Sequence, residues 1–141
     1  MCLVIDKDAT TEFKAKQPED KWFVVWKVLK TTSSGGAVTP FKFRKVSLDS
    51  QELVAKGRLC SADIGEVIVG SGAIHAYTSR AHANVNCCKA FGEVVCKAYV
   101  KAHDVLYIGE GHDVAVKRLV LDQDDLNHLR QRCAMRPIKW R

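Results

Sequence analysis

Gly72-Ala73-Ile74-His75-Ala76-Tyr77-Thr78-Ser79-Arg80-Ala81-His82-Ala83 reads as a short strand that runs straight into a helix. Ile74 and Ala76 alternate with His75 and Tyr77, the period-two pattern of a strand with one buried face. Thr78 and Ser79 then stand where a side-chain oxygen accepts from the free amide N–H groups of a helix start. The helix is expected to begin at Ser79, cover Arg80 to Ala90 and end before Gly92. Beyond that glycine, Val94, Cys96, Ala98 and Val100 alternate with Val95, Lys97, Tyr99 and Lys101, which predicts a half-buried strand over residues 93–101.

Outward from this block the chain is mostly strand. Trp22 to Lys30, reading W-F-V-V-W-K-V-L-K, is rich in aromatic and β-branched residues and predicts a buried strand with Trp22 and Trp26 on one face. Gly35-Gly36 centres a polar turn, and Phe41 to Leu48 is expected to return as the other arm of a hairpin. Leu3-Val4-Ile5 predicts an opening strand, followed by a helix capped by Asp8 that runs to about Lys16 and is closed by Pro18. Residues 49–60 fit a short helix or an irregular surface excursion. Glu66 to Val69 and Ala73 to Tyr77 read as strand pieces around Gly70-Ser71-Gly72. Val105 to Ile108 and Val114 to Leu121 add two β segments around the turn Gly109-Glu110-Gly111-His112-Asp113, and a final helix is expected from about Asp122 to Cys133 with Leu126 and Leu129 inward. With no repeat and no internal linker, the expectation is a single α+β domain over residues 1–141 with a twisted, largely antiparallel sheet and two or three short helices.

Size and composition agree with an ordinary globular chain. At 141 residues the chain can bury roughly 68% of its unfolded surface, so it needs no disulfide or metal to fold. The balance of 47% hydrophobic to 27% charged residues argues against disorder. No apolar run approaches the roughly 18 residues of a membrane span, and Asp6 and Asp8 interrupt any signal-peptide pattern, so a cytoplasmic location is expected. The six cysteines, with no C-x-x-C pair, are expected to be reduced and mostly buried. His75, His82, Cys87, Cys88, His103 and His112 lack the paired spacing of a zinc site, so neither metal nor cofactor is expected. Cys2 at a processed N-terminus could join thiol and amine as nucleophile and base, but an opening strand explains it as well.

Two blocks carry candidate chemistry. In the strand-turn-helix block, amides near Thr78 and Ser79 could hold a phosphate that Arg80 neutralises, with Tyr77 stacked on a base, His75 beside it, and Lys117 and Arg118 as further cations. The same residues also fit a capped helix with a solvated Arg80. In the turn, Glu110, His112 and Asp113 have the composition of an acid/base site and equally of a hairpin turn. Five of the net six positive charges fall in residues 126–141, which hold no acid. Arg130, Arg132, Arg136, Lys139, Trp140 and Arg141 thus form a basic tail suited to a partner surface or, through phosphates and one stacked base, to nucleic acid.

Met1 to Asp8, Trp26 to Leu29, Gly72 to Ala83 and Val95 to Gly109 together resemble small hypothetical proteins of bacteriophage and prophage genomes, over roughly two thirds of the chain. The resemblance implies a phage accessory setting in the host cytoplasm, in which such proteins often inhibit or sequester components of host defence. A second, fainter resemblance is to ADP-ribosyltransferase-like folds, in which a strand like Ala73 to Tyr77 precedes a helix at the nicotinamide site. There Trp26-Lys27-Val28 stands in place of the usual Arg or His, and only Glu110 matches the catalytic glutamate. The expectation is therefore a non-enzymatic binding protein that engages a host protein or sequesters a nucleotide-like ligand. An NAD-using transferase and a nucleic-acid-binding accessory protein are the alternatives. A tryptophan-rich strand edge leaves room for a homo-oligomer.

Overall fold

The computed structural model describes residues 3–32, 35–40, 45–55, 66–67 and 73–134. In chain order these form β1 (Leu3–Val4), α1 (Lys7–Lys16), β2 (Trp22–Thr31), β3 (Ala37–Val38), β4 (Lys45–Val46), β5 (Glu52–Val54) and β6 (Glu66–Val67). They continue with β7 (Ile74–Tyr77), α2 (Arg80–Val85), β8 (Glu93–Lys101), β9 (Val105–Ile108), β10 (Asp113–Val116), β11 (Arg118–Leu121) and α3 (Gln123–Ala134). The main sheet runs β5-β11-β8-β2-β7-β10-β9, with β3 and β4 appended to the end of β2, and β1 pairs with β6 beside it. Every pairing is antiparallel, so the fold is α+β as the alternation predicts. Among the described residues no helix is long and apolar enough to cross a membrane.

The β2–β8 pair is the spine, with nine rungs from Trp22 opposite Lys101 to Lys30 opposite Glu93. Alternation gives this sheet two distinct faces. One face holds Val25 and Leu29 of β2, Cys96, Ala98 and Val100 of β8, Ile74 and Ala76 of β7, Val114 and Val116 of β10, and Leu119 and Leu121 of β11. Leu126, Leu129 and Cys133 of α3 close over it, and Phe13 of α1 meets Phe23 at its margin with ring centroids 5.1 Å apart. Asp122 starts α3 by accepting from Asp125 N at 3.3 Å, while the Asp125 carboxylate accepts from Lys97 N at 2.6 Å and ties the helix to β8. On the opposite face, Leu3 and Ile5 cover Ala115, with Ala73 and Tyr107 around them.

Several expectations shift in detail, each for a local reason. The cap of α1 is Asp6, whose Oδ1 accepts from Ala9 N at 3.0 Å, and Asp8 lies inside the first turn. Thr10 fixes this helix to the sheet: its hydroxyl donates to Asp6 O at 2.8 Å and accepts from Ile108 N at 2.9 Å. The hairpin partner of β2 is β3, with β4 added beyond it; residues 41–44 lie outside the described part. Of residues 49–60, Glu52–Val54 forms the edge strand β5, paired with β11, while residues 56–60 lie outside the described part. Of the strand expected over Glu66 to Val69, Glu66–Val67 forms β6, and residues 68–72, Gly70-Ser71-Gly72 among them, lie outside the described residues.

The helix expected over Arg80 to Ala90 stops at Val85. The Asn86 side chain folds back to His82 O at 2.8 Å, and a 3-10 turn over Lys89–Phe91 leads to Gly92, at φ 81. Val114 to Leu121 breaks at Lys117 into two strands, because β10 belongs between β7 and β9 whereas β11 belongs between β8 and β5. At the break Lys117 N donates to Asp104 O at 2.7 Å and Lys117 O accepts from Ala55 N at 2.8 Å, so both backbone groups of Lys117 are bonded.

Candidate functional site

The two blocks singled out in the sequence meet in space. β7 and β10 pair with Tyr77 opposite Asp113 and His75 opposite Ala115, so His75, Tyr77 and Asp113 share the face away from the main core. Thr78 continues the contact, its amide and hydroxyl both donating to His112 O at 2.8 and 3.1 Å. His112 takes the left-handed conformation at φ 56, which closes the turn and lays its ring on His82 with centroids 4.0 Å apart. His75 Nε2, His82 Nδ1 and Asp113 Oδ1 are buried without a hydrogen-bond partner. Unpartnered buried polar atoms of this kind normally cost stability or await a partner.

Burial sets the protonation of the cluster. The His75 imidazole is pushed down to about 4 by burial, reinforced by the Lys27 cation. Burial raises the Tyr77 phenol, with Asp113 and Glu93 adding to the effect. Burial also raises the Asp113 carboxyl, against the opposing N–H of Gly111. Lys27, on the core face of β2, is the least expected neighbour. It is 6% exposed, its ammonium donates to His75 O at 2.7 Å, and burial pulls its pKa down to about 8. The β2–β7 ladder has one rung, Trp26 opposite Tyr77, and the Lys27 side chain takes over where it ends.

The other candidate residues do not converge here. Ser79 occupies the N-cap position of α2 without a side-chain bond, and Arg80 is exposed on the first residue of that helix. With six residues, α2 lacks the aligned dipole that would draw an anion to its start. Lys117 and Arg118 follow Val116, which pairs with Ile74, while the cluster lies at the Tyr77–Asp113 end; the separation is about 10 Å along the strand. Arg118 is held in an ion pair with Glu52 at 3.2 Å. Glu110 is exposed on the hairpin turn, its amide donating to Val4 O at 2.9 Å. Arg130 lies in α3 and donates through Nε to Leu48 O, so it is a tie within the fold; Arg132 is exposed on the same helix. Arg136, Lys139, Trp140 and Arg141 lie outside the described residues.

No group of three metal-competent side chains occurs among the described residues, and His103 sits apart, near Asp104 at 3.3 Å. A cleft of about 250 Å³ between α1 and the β8–β9 connection, lined by Phe13, Lys14, Glu19, His103 and Val105, also lies away from the cluster.

A second surface escaped the sequence reading. On the face shared by Tyr77 and Trp26, the rungs Trp22–Lys101, Val24–Tyr99 and Trp26–Lys97 follow one another along β2 and β8. Trp22 is 49% exposed, Val24 39% and, on the edge strand β5, Val54 42%. The signal was present, since both the tryptophan pair and the Lys97, Tyr99, Lys101 set were legible. What was missing was the pairing of β2 with β8 that puts them side by side.

No protein-family model, curated protein or solved structure matches the chain.

Proposed function

We propose that the protein is a non-enzymatic binding protein that acts through the open face of its sheet. The observation that carries this reading is the exposure of Trp22 and Val24 on the open sheet face beside the partly exposed Tyr99 and Trp26, with Val54 exposed farther along the same face on the edge strand. Exposed apolar side chains gathered in a patch mark interaction sites, whereas scattered ones need no explanation. The phage resemblance supplies a setting in which the partner belongs to a bacterial host and its capture inhibits or sequesters it. The test is retention: the full chain is incubated with bacterial extract, repurified and weighed by native mass spectrometry beside Val24→Asp. A partner held by the parent chain and lost by the variant is expected. The same partner held by both removes the sheet face from the reading.

A second reading, capture of a nucleotide-like ligand beside His75, Tyr77 and Thr78, is favoured by the unpartnered polar atoms of His75 and Asp113, which share one face of the β7–β10 pair. It predicts an adduct of a few hundred daltons in the same spectra that His75→Asn releases without unfolding the chain.

A further inference from the structure

We infer that the open face binds single-stranded nucleic acid, with Trp22, Tyr99 and Trp26 as stacking platforms and Lys97 and Lys101 as phosphate contacts. The inference rests on the sheet-face reading above and names the class of its partner.

Three features of the face carry it. First, each of three successive rungs presents one aromatic ring: Trp22 opposite Lys101, Tyr99 opposite Val24, and Trp26 opposite Lys97. Successive rungs on one face are about 6.8 Å apart, so the rings form a ladder that an extended strand can follow base by base. Base stacking on aromatic side chains is the common means of holding single strands, and a sheet surface is a rigid place to mount it.

Second, the lysines stand among the rings. Lys101 Nζ lies 5.1 Å from the Trp22 ring centroid, and Lys97 Nζ lies 5.5 Å from that of Tyr99. Interfaces between proteins deplete lysine, whereas a nucleic acid brings a phosphate for every base that stacks. A lysine on a flexible stem can leave the ring face to an incoming base and follow the phosphate.

Third, the acids nearest the lysines are each already engaged by a group of the fold. Glu52 is held by Arg118 at 3.2 Å, and Glu93 Oε1 accepts from Cys88 N at 2.9 Å. Asp122 accepts from the Tyr99 hydroxyl at 2.8 Å, a bond that orients the ring and holds the carboxyl below its usual range. Lys97 lies near enough to the Asp122 carboxylate to help keep it ionised, and Lys101 has no carboxylate within ion-pair distance among the described residues. Ring faces read no base edges, so the site is expected to tolerate sequence. It should also reject duplex, in which the base faces are hidden.

The test is fluorescence anisotropy of labelled twelve-nucleotide oligo-dT and oligo-U with the intact chain at 50 and 200 mM KCl, with a duplex of equal length as competitor. Saturable binding of the single strands is expected, with little competition from duplex. Trp22→Ala should weaken binding by about tenfold while leaving the far-ultraviolet circular dichroism unchanged, because its ring lies outside the core. Removing both lysines in Lys97→Ala/Lys101→Ala should flatten the slope of log affinity against log salt by about 1.4. Absence of binding at 50 mM KCl overturns the inference. So does binding that both variants retain in full, and so does binding lost only in Arg136→Ala/Lys139→Ala/Arg141→Ala, which would assign it to the tail. If oligonucleotides fail while the chain retains a protein, or pairs with a second copy, in a manner that Val24→Asp abolishes, the inference falls and the sheet-face reading stands. Failure of both assays removes both.

Discussion

Lys27→Met isolates the free energy of a buried ammonium in this fold. Lys27 lies at 6% exposure opposite Cys96, with one hydrogen bond to His75 O, and burial lowers its pKa from 10.5 to about 8. That difference corresponds to about 3 kcal/mol between charged and neutral lysine in the folded state. The sign follows from proton counting. Between pH 8 and 10.5 the unfolded chain binds the Lys27 proton and the folded chain does not, so this residue makes stability rise with pH across the window. Cys96 acts in the opposite sense, because burial pushes its thiol up to about 12 and the unfolded chain loses that proton first. The absolute stability curve is therefore a sum, and the informative quantity is the variant minus the parent. Methionine relieves the cost of burying charge but leaves the His75 carbonyl without its donor, a loss of about 1 to 3 kcal/mol. Lys27→Met should thus match or exceed the parent at pH 7.5 and fall below it at pH 10.5, with a total swing of about 3 kcal/mol. Urea unfolding followed by tryptophan fluorescence at pH 7.5, 9 and 10.5 reads this difference. A difference constant across the three pH values would show that Lys27 keeps its proton when folded, through water or a rearranged side chain, and would refute the reasoning.

Two further outcomes follow from the same region. Because His75 is pushed down to about 4, the unfolded chain takes its proton first, and stability should fall as pH drops from 6.5 to 4; allowing for its partial exposure, the loss is about 2 kcal/mol, and His75→Asn should flatten that limb in urea titrations. Gly109→Ala should cost about 2 kcal/mol in thermal or urea unfolding, because a Cβ there would meet Asp113 Oδ1 at 2.0 Å and Leu3 Cγ at 2.8 Å, and the Leu3 side chain is buried with no room to retreat.

The strands were legible because alternation is a local property. Residues 93–101 and 22–30 declared their faces, and β8 and β2 stand where that pattern put them. Partnership was not legible, since it depends on which distant segments meet. Nothing local in Val114 to Leu121 announces that its halves join opposite ends of the sheet, and Lys117 interrupts the run without a glycine or proline. Similarly, Asn86 ends α2 through its side chain, a signal that competes with an otherwise helical composition up to Ala90. The site blocks were legible as pieces, but the antiparallel pairing of β7 with β10, which brings Tyr77 to Asp113 and Thr78 to His112, appears only in three dimensions. Lys27 was hidden for a different reason. A charged residue in a strand normally marks the solvent face, and here it lies on the face of Val25 and Leu29 because a one-rung ladder left a backbone carbonyl to satisfy.

The division of the sheet into a consumed face and an open one is what connects fold to function. α1, α3 and the alternating Val, Ala, Cys and Leu side chains fill one face, and Leu3 and Ile5 occupy the other at Ala115, on the β7–β10 side. Over β2, β8, β11 and β5 the opposite face carries Trp22, Val24 and Val54 in the open. Threonine or lysine at those positions would sustain the same ladder and leave the core unchanged, since none of the three belongs to it. Their apolar character is therefore not needed for folding, and a row of exposed apolar side chains invites unwanted association. The proposed single-stranded partner, with flat aromatic faces and negative charge, would suit a face on which Trp22 and Trp26 each stand opposite a lysine.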